Sequence, residues 1–401
     1  MSGMVIVGAG QAGSSLAQKL RAEGYEGPVT LIGEEPVPPY ERPPLSKGYL
    51  LGEVEEERLY LRPPAIYEEK GIELRLSKRV KSIDCASKTL DLGDEQLSFD
   101  QLALTTGSIP NRLPTVIGGD LDGVFTVRSL ADIDRMAPRF TQGAKVLVVG
   151  GGYIGLEAAA VAAKLGLEVT LIEMADRILG RVAAPETADV VRALHQSQGV
   201  DIREGTGLQR LLGDQSVSGA LLSDDTELAV DFVIVGTGIR PDTALAEAAG
   251  IICENGIKVD AFGETSSPGV WAAGDCASFP YKGGRLRLES VQNAIDQAEV
   301  VAANMLGAKT PYHPYPWFWS DQFDMKLQIA GLNTGYTQVV KRIVGDAQSH
   351  WYFEGDRFIA VDAIDAPRDY MVGKRLLETG KPITPDEAAD PNANLKALLK
   401  A

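Results

Sequence analysis

The sequence predicts an α/β fold with two doubly wound parallel sheets, followed by a C-terminal α+β domain. Three observations lead to this prediction. A glycine-rich segment behind an apolar run occurs twice, once at the N-terminus and once near residue 150. An Ala/Leu-rich helical stretch and a second apolar run follow each copy. From about Trp317 the pattern changes to alternating aromatic segments, which are typical of an antiparallel sheet with a helix after it.

The two copies have the same order of elements. Val5–Gly13 is an apolar run followed by Gly-x-Gly-x-x-Gly, and its second apolar run ends at Glu34. Leu147–Gly155 repeats this pattern, and its second run ends at Glu173. A strand, a helix and a second strand at this spacing form one βαβ unit, so two copies predict two Rossmann-type dinucleotide-binding domains.

Each position of the glycine motif has a physical role. The first glycine permits a tight turn, the second lets the backbone approach a pyrophosphate, and the third lets the helix pack on the strand. The pyrophosphate lies on amide donors at the positive end of the helix, and the acid accepts hydrogen bonds from a ribose. The predicted binding residues are Gly8, Gly10, Gly13 and Glu34 in the first copy, and Gly150, Gly152, Gly155 and Glu173 in the second.

Composition excludes several classes of function. A net charge of −16 argues against non-specific binding to nucleic acid. There is no run of eighteen apolar residues for a membrane span, and the start Met1–Val7 lacks a signal-peptide pattern, so we expect a cytoplasmic protein that does not enter the membrane. Cys85, Cys253 and Cys276 are far apart, which predicts neither a disulfide framework nor a metal site.

A more specific signal lies in the loop Pro39–Lys47, which resembles the corresponding loop of FAD-dependent NADH:ferredoxin reductases. These are the putidaredoxin reductase-like components of bacterial Rieske oxygenase and cytochrome P450 electron-transfer systems. The resemblance spans nearly the whole chain, through Gly236–Pro241, Trp271–Asp275, Glu289–Ala294 and Trp317–Gln322. It implies a glutathione-reductase-like layout with an FAD-binding domain over 1–112 and 242–316, an NAD-binding domain over 113–241 and a C-terminal α+β domain over 317–401.

The resemblance assigns FAD to the first copy and NADH to the second. Relatives often have Asp where this chain has Glu34. The residues on FAD-contacting positions are Gly8, Gly10, Ala12, Gly13, Glu34, Arg42, Lys47, Val80, Thr106, Gly107, Arg128, Asp275, Val291 and Trp319. Those on NADH positions are Gly150, Gly152, Tyr153, Ile154, Gly155, Glu173 and Gly238. Independently, a strand ending in Gly-Asp presents the Asp275 carboxylate where ribityl hydroxyls could donate to it.

Glu173 bears on the choice of nucleotide, because its carboxylate repels a 2′-phosphate and accepts from a 2′-hydroxyl. This favours NADH over NADPH, although Arg177 and Arg181 follow closely.

Three residues are the predicted catalytic set. The resemblance implies that Lys47 lies beside the flavin ring and pairs with Glu157, while Trp319 lies on the face where a ferredoxin docks. A nearby ammonium would stabilise the negative charge that the ring gains when NADH delivers a hydride. A carboxylate would keep the lysine charged and oriented.

The expected electron acceptor is external. The segment Pro43–Gly48 has no cysteine, whereas disulfide reductases of this layout carry a redox pair there. Electrons would therefore pass singly to a [2Fe-2S] ferredoxin and onward to a terminal oxygenase. The alternatives are an NADH:rubredoxin reductase and an apoptosis-inducing-factor-like signalling flavoprotein. Basic residues that could meet an acidic ferredoxin are Arg285, Arg287, Lys326, Arg368, Lys374 and Arg375.

Overall fold

A computed structural model describes residues 3–400 and confirms the predicted fold class. The helices are α1 (Gln11–Ala22), α2 (Pro64–Glu69), α3 (Leu130–Met136), α4 (Tyr153–Lys164), α5 (Pro185–Ser197), α6 (Ala244–Ala248), α7 (Val291–Met305), α8 (Pro367–Thr379) and α9 (Pro385–Ala389). The strands are β1 (Met4–Val7), β2 (Val29–Ile32), β3 (Ile72–Arg75), β4 (Ser82–Asp84), β5 (Thr89–Asp91), β6 (Gln96–Ser98), β7 (Gln101–Leu104), β8 (Ser108–Pro110), β9 (Val124–Thr126), β10 (Lys145–Val149), β11 (Glu168–Glu173), β12 (Asp201–Glu204), β13 (Leu208–Leu212), β14 (Gly219–Leu222), β15 (Glu227–Ala229), β16 (Phe232–Val235), β17 (Ile239–Pro241), β18 (Ile257–Lys258), β19 (Val270–Ala272), β20 (Ala277–Tyr281), β21 (Gly284–Leu286), β22 (Trp317–Gln322), β23 (Met325–Gly331), β24 (Gln338–Val344), β25 (Ala347–Glu354) and β26 (Arg357–Ile364).

The described residues divide into two compact units. The first consists of the chain up to Arg42 with Val54–Ile109 and Ile239–Pro314, and the second of Pro43–Glu53, Pro110–Gly238 and the chain from Tyr315. The first unit contains the first glycine motif, and the second contains the other motif and the C-terminal sheet.

The first unit is built on a five-stranded sheet in the order β19-β7-β1-β2-β3, and all its strand pairs are parallel. Every residue of β1 and β2 is buried, because one face of the sheet packs against helices α1 and α7 and the other against apolar residues of the sheets β4-β5-β6 and β18-β20-β21. Helices α1 and α7 pack through a cluster that includes Leu16, Leu20, Ala298 and Val301. The unit also contains two smaller three-stranded sheets, β4-β5-β6 and β18-β20-β21.

The second unit contains a parallel sheet of the same kind, in the order β12-β11-β10-β16-β9. Helix α4 follows β10 as α1 follows β1, and its residues 155–162 are all buried. The small antiparallel sheet β13-β14-β15 packs its apolar side into the same core as Leu147 and Val233.

The C-terminal part of the second unit is an antiparallel sheet in the order β22-β23-β26-β25-β24, with α8 against it. The alternating aromatic segments of the sequence predict strands near 328–331, 349–353 and 357–361, and the stretch after them predicts a helix near 366–379. The structure adds strands β22 and β24 to these.

The segment Pro43–Glu53 groups with the second unit, whereas the sequence placed it in the FAD-binding domain. The physical reason is that Leu45 and Ser46 are buried there, and that Ser46 and Lys47 bond to Glu157 on α4.

Candidate active site

The first glycine motif has the geometry that a pyrophosphate needs. Gly8 has a φ of +115°, and a Cβ on it would lie 2.2 Å from the carbonyl oxygen of Thr105. A Cβ on Gly13 would lie 2.0 Å from the carbonyl oxygen of Gly8, so α1 packs against the turn that precedes it. A Cβ on Gly10 would meet nothing within 4 Å, so the N-terminus of α1 is open to a ligand.

The second motif repeats this geometry closely. Gly150 has a φ of +110°, and its Cβ would lie 2.5 Å from the carbonyl oxygen of Gly236. A Cβ on Gly155 would lie 2.1 Å from the carbonyl oxygen of Gly150, while one on Gly152 would meet nothing. Both motifs therefore fit a dinucleotide, since each leaves free space at a helix N-terminus with backbone amides at its edge.

The two predicted ribose acids have different surroundings. Glu173 ends β11, and its two carboxylate oxygens accept from the backbone N–H groups of Gly151 at 2.7 Å and Ala175 at 2.8 Å. These bonds hold the acid against the glycine motif of its own unit. Glu34 instead forms an exposed ion pair with Arg79 at 3.0 Å. An Nη atom of Arg177 donates to the carbonyl of Ala183 at 2.8 Å, so this guanidinium is engaged within its own loop.

Three neighbouring strands of the first unit end at predicted FAD residues. Strands β1, β7 and β19 end just before Gly8, Thr106 and Asp275, which places these residues at one edge of the sheet. The carboxylate of Asp275 accepts from Ser108 Oγ at 2.9 Å, and a Cβ on Gly274 would lie 3.0 Å from that of Ala12.

Other predicted FAD residues of the first unit lie in different settings. Arg42 is paired with Glu35 at 2.6 Å, and Gly107 has a φ of +70°. Val291 is the first residue of α7, and Val80 is buried in a hydrophobic cluster.

Lys47, Arg128 and Trp319 belong to the second unit. The Lys47 ammonium lies 3.0 Å from Oε1 of Glu157, so the two residues of the predicted pair are in contact. Glu157 is buried in the first turns of α4, and it also accepts from Ser320 Oγ at 2.7 Å and Ser46 Oγ at 3.2 Å. Burial raises the pKa of Glu157, while the Lys47 charge and the three donors oppose that rise.

Two other predicted residues of this unit, Trp319 and Tyr153, pack against aromatic rings. Trp319 on β22 is half-buried, and its ring centroid lies 5.7 Å from that of Trp317. The Tyr153 ring at the start of α4 packs on Phe318 at 5.0 Å. Ile154 is 43% exposed beside it, and Gly238 has a φ of +96°. Arg128 is half-buried ahead of the helix α3.

The basic residues divide into two groups. Arg287 is only 11% exposed and is paired with Glu289, and Arg285 donates to the carbonyl of Val259 at 2.8 Å. The expectation that these two present surface charge is wrong, because both guanidinium groups are tied into their own unit. Lys326, Arg368 and Arg375 are exposed in the second unit, and Lys374 lies 4.6 Å over the ring of Trp317.

Sequence reasoning missed Ser46, Ser320, Gln322 and His195, which form buried hydrogen bonds around Glu157. Their positions in sequence carry no motif of their own, although Ser46 falls within the loop Pro39–Lys47, and Ser320 and Gln322 within Trp317–Gln322, two segments that carry the resemblance. Within residues 3–400, no helix has the length and apolar character needed to cross a membrane. No cluster of metal-ligating side chains occurs in the same range.

Comparison with known proteins places this geometry in a family. Residues 2–298 match the pyridine nucleotide-disulphide oxidoreductase model, and residues 317–399 match the reductase C-terminal model. A ferredoxin–NAD(P)(+) reductase of a Sphingomonas species is 43% identical over 99% of this chain and 97% of its own length. The 5,5′-dehydrodivanillate O-demethylase ferredoxin reductase subunit of Sphingobium sp. is 41% identical, covering 99% and 98%. The covalent putidaredoxin reductase–putidaredoxin complex matches with a TM-score of 0.96 and 38% identity, covering 100% of this chain and 98% of that one.

Two dinucleotide motifs of closely similar geometry and a lysine paired with a buried glutamate define an FAD- and NADH-dependent oxidoreductase. The chain belongs to the pyridine nucleotide-disulphide oxidoreductase family, in its group of ferredoxin reductases. The predicted family, enzyme class and cofactors are thereby confirmed.

Proposed function

We propose that this protein transfers a hydride from NADH to FAD and then passes single electrons to a [2Fe-2S] ferredoxin that serves a Rieske oxygenase or a cytochrome P450. The observation that carries the proposal is the closely similar geometry of the two glycine motifs, which provides one site for each nucleotide. FAD, when bound, supplies the chemistry that accepts a hydride and releases electrons one at a time. The chain's own residues bind and orient the two nucleotides.

The first motif is the proposed FAD site. The amides at the start of α1 would hold the pyrophosphate, and Glu34 would accept from the ribose. Asp275 supports the assignment, because it stands at the sheet edge that Gly8 and Thr106 share. The remaining proposed FAD residues are Gly10, Ala12, Gly13, Arg42, Lys47, Val80, Gly107, Arg128, Val291 and Trp319.

The second motif is the proposed NADH site. Glu173 supports a preference for NADH, because its carboxylate is fixed against Gly151 and would repel a 2′-phosphate. The Arg177 guanidinium donates to the backbone carbonyl of Ala183 within its own loop, whereas the Glu173 carboxylate is fixed against the glycine motif. The other proposed NADH residues are Gly150, Gly152, Tyr153, Ile154, Gly155 and Gly238.

Lys47 and Glu157 are the proposed catalytic pair for flavin reduction, and Trp319 lies on the proposed route to the ferredoxin. A lysine with a buried carboxylate as its partner presents a fixed positive charge, which favours the gain of negative charge by a group beside it. The exposed bases Lys326, Arg368 and Arg375 would attract an acidic ferredoxin.

A reducing compartment suits this chemistry, and we propose a cytoplasmic location. Cys85, Cys253 and Cys276 are all free thiols. Burial raises the pKa of Cys276 to about 11, so it stays protonated and is a poor nucleophile. The domain limits predicted from the sequence remain part of the proposal.

The decisive experiment is NADH-driven reduction of cytochrome c with and without an added [2Fe-2S] ferredoxin. We expect turnover to depend on the ferredoxin and to be slow when rubredoxin replaces it. Equal turnover with rubredoxin would favour the rubredoxin reductase alternative. Rapid bleaching of the flavin by NADH with no transfer to either carrier would contradict the proposed acceptor.

A further inference from the structure

A chain of buried polar side chains leads away from Glu157 inside the second unit. Ser320 Oγ donates to Glu157 Oε1 at 2.7 Å, and Gln322 Nε2 donates to Ser320 Oγ at 3.1 Å. Gln322 Oε1 then lies 2.8 Å from Nε2 of His195 on α5. Ser320, Gln322 and His195 each have an exposed fraction of 0%. This chain of hydrogen bonds therefore joins α4, β22 and α5 without contact with solvent.

The direction of these hydrogen bonds is fixed by their starting point. An ionised carboxylate only accepts hydrogen bonds, so the one hydroxyl proton of Ser320 must point to Glu157. Ser320 must then accept from the amide nitrogen of Gln322, which turns the amide oxygen towards His195. That oxygen needs a donor, so Nε2 of His195 must carry the proton.

His195, at the far end of this chain of hydrogen bonds, agrees with this direction. Nδ1 of His195 is buried and has no hydrogen-bond partner among residues 3–400, as expected for the ring nitrogen without a proton. Burial lowers the pKa of His195, so the imidazole is neutral at neutral pH. The ring is also fixed from the side by Phe323, whose centroid lies 5.0 Å away.

At the near end, the serine hydroxyl and the lysine share one carboxylate oxygen. Lys47 Nζ and Ser320 Oγ both contact Oε1, whereas Ser46 Oγ contacts Oε2. Without the Ser320 hydroxyl, Glu157 would lose a hydrogen-bond donor that favours its ionised carboxylate. The burial that favours its neutral carboxyl form would remain.

We propose that Ser320, Gln322 and His195 are positioning residues that keep Glu157 ionised and directed at Lys47, and that they thereby maintain flavin reduction as the pH falls. This inference rests on the proposed function of the Lys47–Glu157 pair. The groups facing the Glu157 carboxylate from the elements packed on α4 are the Lys47 ammonium, the Ser46 and Ser320 hydroxyls and, beyond Ser320, the imidazole of His195.

The first test is the pH profile of FAD reduction by NADH in the holoenzyme, followed by stopped-flow absorbance. Ser320→Ala should move the acid limb of the profile upward by about one pH unit, a roughly tenfold loss of rate on the acid side. Ser320→Thr keeps the hydroxyl and should restore most of the wild-type profile. An acid limb that does not move in Ser320→Ala would overturn the proposal.

A matched control exists in the same sheet. Ser349 on β25 is equally buried and donates to the carboxylate of Asp369 at 2.6 Å. Ser349→Ala removes a similar hydroxyl–carboxylate bond that involves none of Glu157, Ser320, Gln322 and His195, so its profile should match that of the wild type. If Ser349→Ala shifts the profile as much as Ser320→Ala does, the effect is general to the fold and the proposal fails.

The second test does not depend on activity. ¹⁵N NMR of the holoenzyme labelled at its three histidines reports the tautomer of each ring. The His195 signal, identified by its loss in His195→Gln, should be that of the Nε2–H tautomer at neutral pH. His350 should show the opposite tautomer, because its Nδ1 faces the Thr187 hydroxyl that donates to Asp362. The Nδ1–H tautomer at His195 would reverse the chain and overturn the proposal.

The proposed role of the Lys47–Glu157 pair and the proposed positioning role of the hydrogen-bond chain can fail separately. If Lys47→Ala leaves flavin reduction unchanged, the proposed role of the ion pair fails, whatever the tautomer of His195. If Lys47→Ala slows reduction but Ser320→Ala behaves like wild type at every pH, the role of the ion pair stands and the positioning chain is refuted.

Discussion

The ammonium of Lys47 lies 3.0 Å from the carboxylate of Glu157, whose side chain is only 4% exposed. The lysine side chain is 20% exposed, so one member of the pair is buried and the other reaches the surface of its unit. Water screens such a pair less than a surface pair, and its charges therefore act more strongly on a neighbouring group.

Lys47→Ala should slow reduction of FAD by NADH by at least about tenfold, because a preorganised charge is lost. Single-turnover absorbance of the flavin measures this rate, with FAD content and thermal unfolding checked in parallel. Lys47→Arg should recover part of the rate. Lys258→Ala is the control, since Lys258 forms a 2.8 Å pair with Glu254 at the surface. An unchanged rate in Lys47→Ala would remove the proposed role.

Glu173→Gln should raise the catalytic efficiency with NADPH relative to NADH by about tenfold, because it removes the charge that opposes a 2′-phosphate. The amide can keep only one of the two backbone bonds to Gly151 and Ala175, so a small loss with NADH is also expected. Glu168→Gln, at the other end of β11, is the control and should leave the ratio unchanged. Similar efficiencies of the wild type with both nucleotides would contradict the assignment.

Two glycines of the second motif should respond differently to alanine. Gly152→Ala places its Cβ in open space, so thermal unfolding should change little while KM for NADH rises by about tenfold, or ~1.4 kcal/mol. Gly155→Ala places its Cβ 2.1 Å from a backbone oxygen and should destabilise the fold by about 1–3 kcal/mol or more. A normal KM in Gly152→Ala would show that no ligand approaches this position.

We expect the free energy of unfolding to depend on pH because of Asp362. Burial raises its pKa to about 6, although Tyr352 and Thr187 both donate to the carboxylate. In the folded state the Asp362 carboxyl therefore keeps its proton up to about pH 6, whereas in the unfolded state it loses the proton near pH 4. Its contribution to the free energy of unfolding is complete below about pH 4 and is lost as the pH rises through 6.

Asp362→Asn cannot titrate, and its amide oxygen can accept both hydrogen bonds. Relative to wild type, it should gain on the order of 2 kcal/mol in free energy of unfolding between pH 4 and 7. Denaturant titrations at several pH values measure the difference. A difference that is constant over this range would mean that Asp362 does not titrate in the fold.

Ferredoxin-dependent turnover should fall as ionic strength rises, because salt screens the attraction between exposed bases and an acidic carrier. Lys326→Ala combined with Arg368→Ala should lower turnover at low salt and flatten the salt dependence. Reduction of FAD by NADH should not change in this double variant, which separates docking from flavin chemistry. A wild-type salt profile in the variant would exclude these two residues from the docking surface.

The sequence was sufficient to predict those parts of the candidate site that depend on local backbone geometry. The glycine spacing predicted two turns, and in the structure a Cβ on Gly13 or on Gly155 would meet the carbonyl oxygen of Gly8 or of Gly150 at nearly equal distances. These contacts lie within one βαβ unit, so periodicity and turn chemistry determine them.

The surroundings of Glu157 depend on contacts that no local pattern encodes. Ser46 lies 111 positions before Glu157, and Ser320 lies 163 positions after it. Serine, glutamine and histidine occur widely at surfaces and in turns, so only tertiary packing shows that they converge. Likewise, the charges of Arg285 and Arg287 could be seen in the sequence, but their engagement by a backbone carbonyl and by Glu289 could not.

The distant origin of the partners of Glu157 has a consequence for synthesis on the ribosome. Ser46 and Lys47 leave the exit tunnel first, the helix with Glu157 follows, and the strand with Ser320 emerges last. A nascent chain that has not reached β22 must hold this carboxylate without one of its donors and without the C-terminal sheet. The second unit can therefore complete its burial of the ion pair only near the end of translation, and premature termination before Trp317 would leave it unfinished.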